Sequence, residues 1–122
     1  MSDRKKLGGW GESFAAQYLI EKGYTILERN VRTAHGEIDL VADLQSVIVF
    51  VEVKTRTSHS YGYPEESVTP NKQAHLLASA QAYLQLHPDL LGDWRIDVIA
   101  IERRAAEDQT VVAHFENAVS DL

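Results

Sequence analysis

The run Val47-Ile48-Val49-Phe50-Val51 is apolar at every position and continues without a break into Glu52-Val53-Lys54-Thr55-Arg56. A strand shows alternate side chains to opposite faces, so a run with no polar alternation must be covered on both sides. It therefore belongs in the middle of a sheet, and helices must supply the two covers. Glu52 and Lys54 then project from the end of a buried strand, on the face shared with Ile48 and Phe50. Shortly before it, Gly36-Glu37-Ile38-Asp39-Leu40-Val41-Ala42 places a further acid in a second strand-like run. Asp43-Leu44-Gln45-Ser46 between the two is short enough for a tight hairpin.

The register of that hairpin decides what the acids can do. With Leu44-Gln45 as the loop, Asp39 falls opposite Phe50 and Glu37 opposite Glu52, and directly opposite residues share a face. Asp39, Glu52 and Lys54 then converge, whereas a slip of one residue sends Asp39 to the other side. Two carboxylates close together in an apolar setting are costly to keep ionised unless a cation neutralises them. The chain has no cysteine, so thiolate ligands and disulfides are excluded. Its five histidines, His35, His59, His75, His87 and His114, lack zinc-ligand spacing. Oxygen ligands point to Mg²⁺ or Mn²⁺, held by Asp39, Glu52 and the carbonyl of Val53. Such an ion would activate a bound water and polarise a phosphoryl oxygen, with Lys54 positioning the water or stabilising developing charge. The rival reading of the same residues is an ion network that serves the fold.

The remainder of the chain reads as support for this hairpin. Its 122 residues fit a single domain, 1–122. Leu7, Trp10, Phe14, Ala15, Tyr18 and Leu19 recur as one face of a helix over 5–22, which Gly23 should stop. Gly11 lies in that face, where the lack of a side chain suits close packing, and Glu12 sits at its edge. A first strand is expected over 24–32, with a bulge or bend near Arg29-Asn30. The segment 57–68 is the long loop, carrying Tyr61 and Tyr63, which either stack on bases or pack the loop down. Thr69 and Pro70 suit the N-cap and first position of a second helix, whose apolar face is Leu76, Leu77, Ala80, Tyr83 and Leu84 and which ends at His87-Pro88. A fourth strand over 94–101 and an edge strand over 111–115 complete an α/β order, α-β-β-β-α-β-β, with a mixed sheet. Trp10 and Trp94 read as core residues.

The net charge of −6 argues modestly against a general nucleic-acid coat protein but leaves room for a local basic groove. Arg56 and Lys72 read as solvated side chains or phosphate-backbone contacts and not as catalytic groups. The basic amino terminus lacks the apolar run of a signal peptide, and Val47 to Val51 is too short to span a bilayer. A cytoplasmic protein with no membrane association is the expectation.

Asp39 followed by Glu52-Val53-Lys54 at the end of a central strand, with Glu12 on a preceding helix, resembles the PD-(D/E)XK nuclease superfamily in the arrangement of archaeal Holliday-junction resolvases. More closely, Gly11-Glu12, the stretch 24–30, Gly36-Glu37-Ile38-Asp39-Leu40 and Phe50 to Arg56, with Lys72 and Tyr83-Leu84, are similar to the YraN family of bacterial proteins. The resemblance implies a restriction-endonuclease-like αβββαβ core, with Glu12, Asp39, Glu52 and Lys54 at the catalytic positions. It further implies a Mg²⁺-dependent endonuclease acting on structured or branched DNA, or a silent nucleic-acid-binding or adaptor module that keeps the fold. A homodimer like those of the resolvases is a further implication. Ile38 stands where the superfamily's name has proline, and no Gln-x-x-x-Tyr signature follows the lysine, which argues against the exonuclease branch.

Overall fold

The computed structural model describes residues 3–57, 68–104 and 107–119; the loop residues 58–67, with Tyr61 and Tyr63, lie outside them. The elements are α1 (Asp3–Glu21), β1 (Thr25–Thr33), β2 (Gly36–Leu44), β3 (Val47–Thr57), α2 (Pro70–Leu86), β4 (Trp94–Arg104) and β5 (Gln109–Val119). The strands form one five-stranded sheet in sequence order, so the apolar β3 is central. β3 and β4 run parallel, and the other neighbours are antiparallel. A parallel pair needs a crossover between its strands, and α2 lies in that connection. The result is a mixed α/β sheet with an αβββαβ core, to which β5 adds an edge.

Each face of β3 has its own cover. Ile48 and Phe50 pack with Leu76, Ala80 and Tyr83 of α2. Val49 and Val51 pack with Ala15, Ala16 and Leu19 of α1. Phe50 meets the rings of Tyr83 and Trp94 edge-on at 5.7 and 5.9 Å between centroids, the favoured aromatic geometry. Complete burial of a side chain such as Phe50 contributes about 2–3 kcal/mol. Trp10 and Trp94 are only partly buried and pack at the margins of the two clusters.

Both helices stop and start where their sequences direct. Gly23 adopts φ 94° after α1, its amide donates to the Ile20 carbonyl, and the Tyr24 amide reaches back to Leu19. That pair of bonds is a Schellman motif, and the buried Tyr24 and Leu19 make its hydrophobic contact. At α2 the Thr69 hydroxyl accepts from the Lys72 amide at 3.2 Å, with Pro70 at the first helical position. α1 can lie close to the sheet because residue 11 is glycine. A Cβ there would collide with the Thr55 side chain, whose Cβ and Cγ2 would be 2.9 Å away.

The hairpin register differs from the sequence expectation by two residues. Leu40 pairs with Val51, Val41 with Phe50 and Leu44 with Val47, so the loop is Gln45-Ser46, not Leu44-Gln45. Gln45 and Ser46 take φ values of 50° and 73°, the left-handed pair of a type I′ turn, and Asp43 Oδ1 accepts the Ser46 amide at 3.1 Å. Asp39 is therefore the next residue on from the Leu40–Val51 pair, on the Glu52 side, and not opposite Phe50; Glu37 is not opposite Glu52. Because the displacement is an even number of residues, Asp39 stays on the face of Glu52 and Lys54. The irregularity in β1 is also displaced, to between Ile26 and Glu28, although Asn30 does adopt φ 53°.

Candidate functional site

The ladder between β2 and β3 ends at Leu40–Val51, and Asp39 takes over where it stops. Its Oδ2 accepts the Val53 amide at 2.8 Å, so a side chain replaces the backbone acceptor that a continuing strand would supply. This bond fixes Asp39 relative to the Glu52-Val53-Lys54 segment. Burial is the largest influence on the Asp39 carboxyl and the neighbouring Glu52 charge adds to it; together they push its pKa up from 3.8 to about 7 despite the Val53 bond.

Glu52 is buried and carries two ammonium partners. Lys54 Nζ lies 3.4 Å and Lys72 Nζ 3.1 Å from the same oxygen, Oε1. Burial lowers the pKa of Lys54, and its hydrogen-bonded neighbour Lys72 lowers it further, against the pull of Glu52. Burial also works against charge on Lys72, but its bond with Lys54 and the Glu52 carboxylate outweigh that and raise its pKa. A protonated Lys72 beside a Lys54 that loses its proton more readily is the outcome.

Asp39 and Glu52 face a cleft of about 320 Å³ whose walls also include Lys72, Glu37, His35 and His75. Glu12 comes from α1, on the opposite face of the sheet, and is not part of that wall. Its carboxyl is raised by burial, opposed by a hydrogen bond with Asn30, and feels Glu37 and Glu52. Its charge in turn reaches Asp39, so it stands at the α1 side of the point where β2 and β3 part. Arg56 lies elsewhere, lining a small depression with Glu102, Ala100 and Val111.

Two carboxylates on one cleft, one of them held near neutrality by burial, form a donor set that suits a hard divalent cation. Asp39 and Glu52 would hold it, with the Val53 carbonyl. The set is sparse: among the described residues no group of three or more His, Asp or Glu side chains gathers as a ligand cluster. Water would complete such a shell, as is usual for Mg²⁺.

The profile of the family described as "Uncharacterised protein family UPF0102" matches residues 11–101, a span that takes in Glu12, Asp39, Glu52, Lys54 and Lys72. The chain belongs to that family. It is the family of the YraN resemblance, within the PD-(D/E)XK-like nuclease superfamily. A UPF0102 protein of Syntrophomonas wolfei is 46% identical over 93% of this chain and 97% of its own length. One of Syntrophotalea carbinolica is 48% identical over 94% and 92%, and one of Roseiflexus castenholzii 43% identical over 97% and 96%. Among solved structures, one titled as Pyrococcus furiosus SfsA in complex with Ca²⁺ is similar at a TM-score of 0.41 and 15% identity, over 97% of this chain and 65% of that one. That likeness is too slight to carry any argument.

Two features of this UPF0102 chain were not drawn from its sequence. Lys72 reads there only as a solvated side chain or phosphate contact, yet it is an ion-pair partner of Glu52. Its place in the first turn of α2, next to the Thr69 cap, was the available signal. The second is a buried network on the α1 face around the fully buried Asp97. Arg95 Nε and the Asn117 amide donate to Asp97 Oδ1 at 3.0 and 2.9 Å, and His114 Nε2 lies 2.8 Å from Oδ2. Tyr24 and Tyr18 extend it through Arg95 and His114. Burial works against charge on Asp97, but the bonds from His114, Arg95 and Asn117 outweigh it and lower the pKa.

Proposed function

We propose that this UPF0102 protein is a Mg²⁺- or Mn²⁺-dependent phosphodiesterase, an endonuclease acting on structured or branched DNA in the cytoplasm. The observation that carries the reading is the Asp39–Val53 bond, which holds one acid beside a buried second acid, Glu52, that is paired with Lys54. A divalent ion bound by these carboxylates would supply the charge that activates water and stabilises a phosphoryl oxygen.

The protein's own groups have separable tasks. Asp39 and Glu52 present carboxyl oxygens at fixed positions in a cleft walled partly by apolar Leu76. Lys54, its pKa lowered by burial, sits within reach of the Glu52 oxygen, where it orients the attacking water and stabilises charge that grows on the phosphate. Lys72, kept protonated, adds fixed positive charge that favours a phosphodiester over a neutral substrate. Arg56, farther along β3, is a candidate backbone contact.

Cleavage of branched, flapped and linear DNA with Mn²⁺ tests this, comparing the wild type with Asp39→Ala and Lys54→Ala. Loss of cutting in both variants is expected, and equal residual activity in all three would refute it. A second reading, a nucleic-acid-binding or adaptor module without catalysis, is favoured by the sparse ligand set among the described residues. Metal-independent DNA binding unchanged by Glu52→Ala would support it over the first.

A further inference from the structure

Between α2 and the turn joining β1 to β2 the cleft extends beyond the acids, and nothing in the proposed chemistry uses this part of it. Its walls are His35 and Gly36 from the turn and His75, Leu76 and Ser79 from α2. The two sides are pinned together. Thr33 Oγ1 lies 3.0 Å from Ser79 Oγ, while the same hydroxyl bonds to the Gly36 carbonyl at 2.9 Å and accepts the His35 amide at 3.0 Å. Gly36 takes a φ of 141°, which suits glycine, at the point where the turn meets Ser79 and His75 of α2.

A cleft of about 320 Å³ is at the small end of pockets that enclose single ligands, which span roughly 300–1,000 Å³. At this volume the cleft takes in both the acids and the part beyond them, and is on the scale of a single nucleotide. Its chemistry also suits a nucleotide: His35 and His75 are exposed imidazoles able to stack on or bond to a base, above the buried apolar Leu76. Lys72 lines the same cleft and is paired with Glu52, so its charge is at hand for a phosphate adjoining the acids.

We infer that the cleft is a subsite for one unpaired nucleotide next to the scissile phosphate, so that the substrates are single strands, flaps or gaps and not continuous duplex. The inference rests on the proposed nuclease reading and names the strand state that reading leaves open. Base stacking contributes about 1–3 kcal/mol per base, which corresponds to a preference of roughly fivefold to a hundredfold.

The test uses binding as well as cutting. Fluorescence anisotropy with Ca²⁺ would compare a labelled single-stranded 12-mer with a blunt hairpin of the same sequence, for wild type and His35→Ala/His75→Ala. Both histidines are exposed, so the variant is expected to fold, and its unfolding curve checks this. The expected result is roughly tenfold tighter binding of the single strand by wild type, a preference the double variant loses while its duplex binding changes little. Equal or tighter binding of the hairpin by wild type, or a preference intact in the variant, overturns the inference. Cleavage of both substrates alike that still depends on Asp39 would overturn the subsite and leave the nuclease reading standing. Selective single-strand binding with no Asp39-dependent cutting would do the reverse.

Discussion

Replacing Asp39 with asparagine should make the metal-free protein more stable at neutral pH. Burial and the neighbouring Glu52 charge push the Asp39 pKa in the folded chain up to about 7 from the ordinary 3.8. At 1.36 kcal/mol per unit this group costs the fold up to about 4 kcal/mol once it is ionised in both states. A raised folded-state pKa contributes fully below the unfolded value near 3.8, and that contribution is lost as pH climbs through 7. Asparagine has no charge to bury and keeps an oxygen for the Val53 amide. A gain of about 2–4 kcal/mol at pH 8 and close to none at pH 4 is expected. Urea unfolding in EDTA at the two pH values measures it. Mn²⁺ should narrow the gap by stabilising only the wild type, by about 2.7 kcal/mol at a hundredfold excess over its Kd. A variant that is less stable than wild type at pH 8 without metal, or equally shifted at both pH values, would refute the reasoning.

Other perturbations probe the rest of the molecule. Gly11→Ala should destabilise by about 1–3 kcal/mol in urea unfolding, because the clash with Thr55 outweighs the better helix propensity of alanine, worth about 1 kcal/mol. Lys72→Met removes a neighbour that lowers Lys54, so ¹⁵N NMR of the lysine side chains should show the Lys54 pKa rising. Asp97→Asn should cost about 3–5 kcal/mol at pH 7 by leaving Arg95 and His114 poorly paired, with Mn²⁺ affinity unchanged in calorimetry. Since the Asp97 pKa is lowered, its contribution is present above 3.8 and fades as pH falls through the folded value, so the gap to wild type should close in acid.

How much of this was legible in the sequence depends on how local each determinant is. Gly23, Thr69-Pro70 and the apolar run ending at Val51 each announce their structure within a few residues, so the helix limits and the central strand follow directly. The face shared by Asp39, Glu52 and Lys54 was readable because a strand's alternation survives a two-residue displacement. The register itself was not, since Gln45 and Ser46 both take positive φ without the Asn-Gly pair that usually marks such a turn. The Lys72 pairing with Glu52 and the Asp97–His114 bond join residues 20 and 17 positions apart, and only the folded sheet brings them together. Glu12 illustrates the same limit: its helix was clear, but its proximity to the acids depends on Gly11 letting α1 approach Thr55.

The most direct test of the central claim is anomalous diffraction from a crystal soaked in Mn²⁺. A peak coordinated by the carboxylates of Asp39 and Glu52 and the carbonyl of Val53 is expected, absent from an Asp39→Asn crystal treated in the same way. No peak between the two acids in the wild type, or one elsewhere on the molecule, would contradict it.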